Sequence, residues 1–299
     1  MNQPKTYTAA SNQRYILREL WHYDRSTIFY ALAEIITQIG KGFGTILIPS
    51  GRLLTITSIM GYETKEEKGS ITNQIKGDGP IGMVTAVGEC NGNVKGYVEN
   101  SKLDLPLNEE NGKLNVGKAV GKYGMLYIIK DLGIGKPYVG MTPIVSGEIA
   151  EDFTNYFATS EQTPSVIALG VLVDKNGVKE AGGYKLSLMP DATDEIITKI
   201  EEQVKNIEPI SKMLDENKTL EEIAKTVTGD ENLQILSETN PEYQCNCSKE
   251  KCEKGLIAIG KEELEKIINE EEKIEIVCNF CNKKYIFTRE DLKELIKKD

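Results

Sequence analysis

Two cysteine pairs near the C-terminus constrain this chain more than any other feature: Cys245-Asn246-Cys247 and, after residues 248–277, Cys278-Asn279-Phe280-Cys281. A close pair of thiols offers two sulfurs to one coordination sphere, and four thiolates complete a tetrahedral Zn²⁺ site. Two pairs separated by a foldable insert therefore predict a closed structural zinc centre with Cys245, Cys247, Cys278 and Cys281 as ligands. Four of the six cysteines fall into this pattern, which argues against chance. The first pair is Cys-x-Cys where Cys-x-x-Cys is commoner, and that spacing calls for an explanation of its own.

At 299 residues the chain has room for one large domain and one small one. No apolar run approaches the ~20 residues needed to cross a bilayer, and the N-terminus lacks a basic stretch followed by an apolar one. The expectation is a cytoplasmic protein with no membrane partner, whose paired thiols serve metal binding or redox sensing in a reducing compartment. The net charge of −10 is unevenly placed. Residues 191–240 hold 13 acidic and 5 basic side chains, a local charge of −8, whereas the first 190 residues balance at 19 of each sign. Residues 242–299 carry 14 acidic and 12 basic side chains, so the segment around the cysteines has no basic excess with which to grip phosphates. Nucleic acid is accordingly not the expected partner.

Along the chain, Tyr15 to His22 and Thr27 to Ile39 place apolar residues at helix-like intervals, including Ile28, Leu32, Ile35, Ile36 and Ile39, before a break at Gly40, Gly42 and Gly44. His22, the only histidine, has no partner acid or nucleophile recognisable by spacing and reads as structural. From Gly51 to Tyr184 short apolar alternations separated by turn residues predict strands at Ile71–Lys76, Met83–Val87, Val94–Val98, Met125–Lys130 and Val166–Val173, with a helix over Ser146–Thr159. The fold class expected is α+β: a strand-rich core with packed helices, a helical linker and a small zinc-binding domain. Gly77-Asp78-Gly79 and Gly133-Ile134-Gly135 lack the rest of any phosphate-binding pattern and read as tight turns. Cys90 reads as a structural thiol.

Residues 191–240 turn helical, with Ile196, Ile197, Ile200, Val204 and Ile207 on one stripe and a capping box at Thr219 and Glu222. Helices this acidic depend on docking for stability, and self-repulsion works against their compaction. Either this is an ordinary helical linker or its fragility serves a function. Beyond it, Lys249–Ile259 and Lys261–Ile268 read as helices, with Cys252 on the apolar face of the first as a core residue and not a fifth ligand. Ile274, Ile276 and Cys278, then Tyr285 and Phe287, alternate as a hairpin whose turn carries the second sulfur pair, and a closing helix runs from Arg289. The domains expected are 1–190 (core), 191–241 (acidic linker) and 242–299 (zinc-binding).

From about Gly51 to Asp299 the chain resembles the heat shock protein 33 family of redox-regulated holdase chaperones. The resemblance is carried by Gly51-Arg52-Leu53-Leu54-Thr55, Gln74-Ile75-Lys76-Gly77-Asp78-Gly79-Pro80-Ile81-Gly82, Gly96-Tyr97-Val98, Leu105-Pro106-Leu107-Asn108, Val145-Ser146-Gly147-Glu148-Ile149, Ser160-Glu161-Gln162-Thr163-Pro164-Ser165 and Ala181-Gly182-Gly183. The family's Cys-x-Cys and Cys-x-x-Cys motif falls on Cys245, Cys247, Cys278 and Cys281. Residues 1–48 do not look like the family's opening strands and helix; they are either sharply diverged or the product of a shifted frame, and a foreign segment would leave the sheet short of strands.

The resemblance implies a non-enzymatic, ATP-independent chaperone that is inactive when reduced and loaded with one Zn²⁺. Its partners would be unfolding client proteins and, when oxidised, a second copy in a homodimer. Thiolates react with oxidants to give sulfenic acids that condense with a neighbouring thiol. The resemblance and the spacing together imply Cys245–Cys247 and Cys278–Cys281 disulfides, the first in a tight, reducible ring. Two alternatives stand beside this reading: a zinc-ribbon nucleic-acid binder, and a thiol-disulfide oxidoreductase working through Cys278 and Cys281.

Overall fold

The computed structural model describes residues 16–21, 27–33, 44–107, 114–174, 177–190 and 192–297, with side chains from Ile46 onward. The chain forms two compact units, Met1–Tyr243 and Gln244–Asp299. The first begins with strands β1 (Ile16–Trp21) and β2 (Thr27–Ala33) and helix α1 (Gly44–Glu63). Then come β3 (Ser70–Gly77), β4 (Met83–Glu89), β5 (Val94–Val98), the short helix α2 (Val116–Val120), β6 (Gly124–Asp131) and β7 (Tyr138–Pro143). Helix α3 (Ala150–Thr159) leads to β8 (Ser165–Asp174) and β9 (Gly177–Leu188), followed by α4 (Asp194–Lys205), α5 (Ile210–Asp215), α6 (Leu220–Thr228) and β10 (Gln234–Thr239). The strands form two five-stranded sheets, ordered β10-β1-β2-β9-β8 and β5-β4-β3-β6-β7, and every pairing within them is antiparallel. The α+β expectation holds.

The five strands expected from alternation all form, with ends extended by at most two residues. Residues 16–21 and 27–33, read from their spacing as helical, are instead strands: β2 lies between β1 and β9, in register from Thr27 opposite Leu188 to Ala33 opposite Gly182. Six or seven residues span less than two helical turns, so apolar spacing cannot separate the two periods over such a length, and sheet pairing decides. The sheet thus gains the strands whose absence the divergent N-terminus had suggested. His22, Ile35, Ile36, Ile39, Gly40 and Gly42 lie outside the described residues.

Helix α1 packs on β3, β4 and β5 of one sheet and on β8 and β9 of the other. Leu53, Ile56, Thr57, Ser58 and Ile59 on successive faces of this helix are all fully buried, as a helix enclosed on every side requires. It runs from Gly44 to Glu63, through the Gly51–Thr55 stretch that carries part of the family resemblance.

Residues from several of the family-like stretches converge beside α2. Helix α3 starts at Ala150, not Ser146, because residues 145–149 wrap the fully buried Asp152 carboxylate. Its Oδ1 accepts from the N–H groups of Val145, Ser146 and Gly147 at 2.8, 3.0 and 3.3 Å, and Oδ2 from that of Ile149 at 3.0 Å. Those bonds hold Ile149 at φ 68°, a conformation costly for a β-branched residue. Glu148 then accepts from Arg52 Nη1 at 2.7 Å and from the Gly117 N–H at 3.0 Å, tying this turn to α1 and α2.

Gly77 and Gly79 are structural, as their sequence context predicted. A Cβ at either would drive into the carbonyls of Val120 or Ala119, and the Gly79 and Ile81 N–H groups bond those same two carbonyls at 3.0 and 3.1 Å. Because the obstacle is backbone and cannot rotate away, Gly77→Ala is expected to cost roughly 2–3 kcal/mol, read as a lowered urea midpoint. An unchanged midpoint would mean that α2 is free to shift.

Helices α4, α5 and α6 bury Ile200, Met213, Leu214, Ile223 and Val227 against Tyr184 and Leu186 of β9. Helix α5 sits close enough to β8 that a Cβ on Gly170 would meet Ile210 Cγ2 at 2.7 Å. The Thr219–Glu222 capping box opens α6 as expected. Residues 191–240 are not helical throughout, because β10 closes the edge of the first sheet beside β1. Past β10 the Val94 N–H bonds the Glu242 carbonyl at 2.9 Å, and the Tyr243 hydroxyl donates to the Gly96 carbonyl at 2.8 Å. The first unit therefore ends on a residue anchored to β5.

The second unit holds α7 (Lys249–Ala258), α8 (Lys261–Glu270), the hairpin β11 (Lys273–Val277) and β12 (Lys284–Thr288), and α9 (Arg289–Lys297), all where the sequence placed them. Its core is small: Leu256, Leu264, Ile268, Phe287, Leu292 and Leu295, closed on the side of the cysteines by Tyr285.

Candidate metal centre

The hairpin and α7 deliver the sulfurs. Cys245 and Cys247 lie on the extended segment that runs into α7, whose N-cap Ser248 accepts from the Lys251 N–H at 3.3 Å and so starts the helix immediately after the pair. Cys278 and Cys281 lie in the β11–β12 turn, closed by bonds from the Cys278 N–H to the Lys283 carbonyl (2.9 Å) and from the Asn282 N–H to the Cys278 carbonyl (2.8 Å). Asn282, at φ 57°, is among the few residue types that tolerate the left-handed conformation this turn needs.

The four Sγ atoms all lie within 4.8 Å of one another. Cys245 Sγ is 3.7 Å from Cys278 Sγ, and Cys247 Sγ is 3.4 Å from Cys281 Sγ. Four sulfurs about 2.3 Å from a tetrahedral Zn²⁺ stand ~3.8 Å apart, so the donor set and its spacing fit that ion. These two short separations each join one cysteine of the first pair to one of the second. Three sulfurs are partly buried and Cys281 is exposed.

Three of the thiols are shifted from the ordinary range. Burial and hydrogen bonds with the neighbouring thiols push Cys245 up, and burial likewise raises Cys281. Cys247, though burial acts to raise it too, is held below the ordinary thiol range by the Tyr285 hydroxyl and the three other sulfurs. Four thiolates in one sphere repel one another, and a dication at their centre removes that penalty.

Tyr285 was expected only as an alternating strand residue. Its hydroxyl donates to Cys247 Sγ at 3.1 Å, a contact spanning 38 positions of sequence. Its phenol is raised chiefly by that bond and then by burial. Tyrosine's period-two spacing from Phe287 was visible in the sequence, but the target of its hydroxyl was not. Cys252 lies outside the four-sulfur group and packs half-buried against the core of the unit. Cys90 donates to the Glu67 carbonyl at 3.3 Å, a structural contact.

The family model described as Hsp33 protein matches residues 46–288. The chain belongs to the Hsp33 family. Among Hsp33 relatives, a 33 kDa chaperonin of Clostridioides difficile is 49% identical over 247 residues, covering 83% of this chain and 84% of that protein. Another, from Caldanaerobacter subterraneus subsp. tengcongensis, is 43% identical over 288 residues, covering 95% and 98%. The crystal structure of the 33 kDa chaperonin (heat shock protein 33 homolog) of Thermotoga maritima matches with a TM-score of 0.83 at 34% identity, over 95% of this chain and 98% of that one. The Hsp33 family model begins at residue 46, and the structural likeness covers 95% of the chain. Among the described residues no helix is long and apolar enough to cross a membrane.

Proposed function

We propose that this chain is a redox-regulated, ATP-independent holdase of the cytoplasm, held inactive while Cys245, Cys247, Cys278 and Cys281 bind one Zn²⁺. The observation that carries the reading is four sulfurs at tetrahedral spacing in a unit whose own core is only a few side chains deep. When bound, the metal keeps the thiols ionised and supplies folding free energy to the unit.

An oxidant such as hydrogen peroxide withdraws these ligands. A thiolate sulfur attacks one peroxide oxygen, the O–O bond breaks, and hydroxide leaves and is protonated to water. A neighbouring thiol then displaces the sulfenic hydroxyl as a second water. Two thiols and one peroxide thus become one disulfide and two waters. The pairs proposed are Cys245–Cys247 and Cys278–Cys281, each leaving the site two ligands poorer. The unit Gln244–Asp299 then loses order, and the acidic layer α4–α6 loosens from β8 and β9. Tyr184, Leu186 and the apolar faces of those helices become surface for unfolding clients, and the oxidised form dimerises.

The hairpin-turn position of Cys278 and Cys281 argues against an oxidoreductase, whose reactive pair characteristically opens a helix. The near balance of charge around the cysteines argues against a nucleic-acid grip. Zinc content and suppression of client aggregation should be measured before and after peroxide treatment with mild warming. One zinc per chain should be lost as suppression appears. Equal suppression by the reduced, zinc-loaded protein would defeat the proposal.

A further inference from the structure

Cys247 Sγ accepts from a side chain, the Tyr285 hydroxyl at 3.1 Å. Tyr285 pairs with Ile276 in the hairpin and is only 8% exposed, and Phe287 two residues on is fully buried in the same core as Leu292 and Leu295. Lys283 Nζ lies 5.3 Å from the ring centroid and draws electron density from it, which makes the phenol a better donor. The ring is thus held by packing while its hydroxyl is aimed at one sulfur.

Resting on the zinc-thiolate reading above, we propose that Tyr285 is a positioning residue that sets the oxidation threshold of the centre. It ties the Cys-x-Cys pair to the hairpin and restrains the attack of Cys247 on peroxides. A sulfur lone pair that accepts an O–H donor at this distance is less available to an incoming peroxide, because the attack must weaken that hydrogen bond. The step restrained is the first: the Cys247 sulfur takes one peroxide oxygen, the O–O bond breaks, and hydroxide departs to become water. The second thiol then closes the disulfide and releases the second water. A hydrogen bond to a charged acceptor is among the stronger ones, and only part of it is given up as the sulfur begins to share its electron pair with the peroxide oxygen. The restraint is therefore worth roughly a 3- to 10-fold change in rate.

The test uses the full chain loaded with zinc. Tyr285→Phe keeps the ring and deletes the donor; a ring-fluorinated tyrosine at the same position keeps the shape and strengthens the donor. Tyr285→Phe should speed peroxide oxidation of the Cys247 peptide by roughly 3- to 10-fold, read by mass spectrometry of alkylated fragments. The fluorinated side chain should slow it below wild type. In cobalt-loaded protein the sulfur-to-metal charge-transfer band should move to longer wavelength in Tyr285→Phe, because the sulfur becomes a better electron donor. A merely structural role would speed both cysteine pairs alike and leave the fluorinated protein unchanged, and that result overturns the proposal, as does an unaltered rate in Tyr285→Phe. If Tyr285→Phe fails to take up metal, the fluorinated protein decides alone. Wild-type protein that binds no zinc, or whose thiols resist peroxide, would overturn the underlying reading and this inference with it. A wild type that switches normally beside unaltered variants overturns the inference alone.

Discussion

Cys278→Ser combined with Cys281→Ser is expected to leave residues 244–299 without a cooperative fold in otherwise native protein. A four-thiolate site that loses two sulfurs forfeits most of the 10–16 kcal/mol or so that zinc supplies to small modules. The core of the unit cannot replace that term: Leu256, Leu264, Ile268, Phe287, Leu292 and Leu295 make up most of its buried apolar side chains. Limited proteolysis of the reduced double variant should cut within 244–299 while much of Met1–Tyr243, with α1 enclosed between two sheets, resists. On the proposed function the variant should also suppress client aggregation without any oxidant, having lost zinc-dependent control. A protease-resistant, zinc-free segment would show that the unit folds on its core alone, and the metal could not then act as its restraint.

The second large effect is expected at Asp152→Ala. Four backbone N–H groups, those of Val145, Ser146, Gly147 and Ile149, converge on this one carboxylate, which is fully buried. Bonds to a charged acceptor contribute about 1.5–3 kcal/mol each, and buried donors left without partners add a penalty. These bonds share one acceptor, so their losses do not add in full, and a destabilisation of about 4 kcal/mol or more is expected from urea unfolding. Asp152→Asn keeps one acceptor oxygen but turns an amide toward one of the donors, and should fall between wild type and alanine. A loss below about 1 kcal/mol for alanine would mean that water can enter the turn and satisfy the donors. The consequence reaches beyond the turn, because Glu148 within it is the acceptor that ties Arg52 of α1 to Gly117 of α2.

Much of this molecule was legible in its sequence. The strands β3 to β6 and β8, the hairpin β11–β12, and helices α7, α8 and α9 follow from apolar periodicity and turn residues, because each is long enough or sharply enough bounded for period two and period 3.6 to be told apart. β1 and β2 were not, since their length fits either period and only pairing with β9 and β10 makes them strands. β10 was hidden for a related reason: it follows three acidic helices, and its Ile235 and Leu236 are adjacent and both 40% exposed, so it carries no alternation of its own. The start of α3 was misplaced because Asp152 reads locally as a helix-favouring acid, whereas its bonds to Val145, Ser146, Gly147 and Ile149 keep residues 146–149 out of the helix.

The sulfur cluster divides in the same way. Cysteine identity and spacing nominate Cys245, Cys247, Cys278 and Cys281 without a structure, because two close pairs of soft ligands match the donor set of a tetrahedral zinc site. That Cys247 lies 3.4 Å from Cys281, and that a tyrosine hydroxyl on β12 points at Cys247, depends on the hairpin folding back toward the start of α7. The sequence by itself determined which atoms are available and which local period each segment prefers. The tertiary structure alone decided which distant groups meet, because a sulfur's basicity is set by donors that pairing and packing bring to it across dozens of residues.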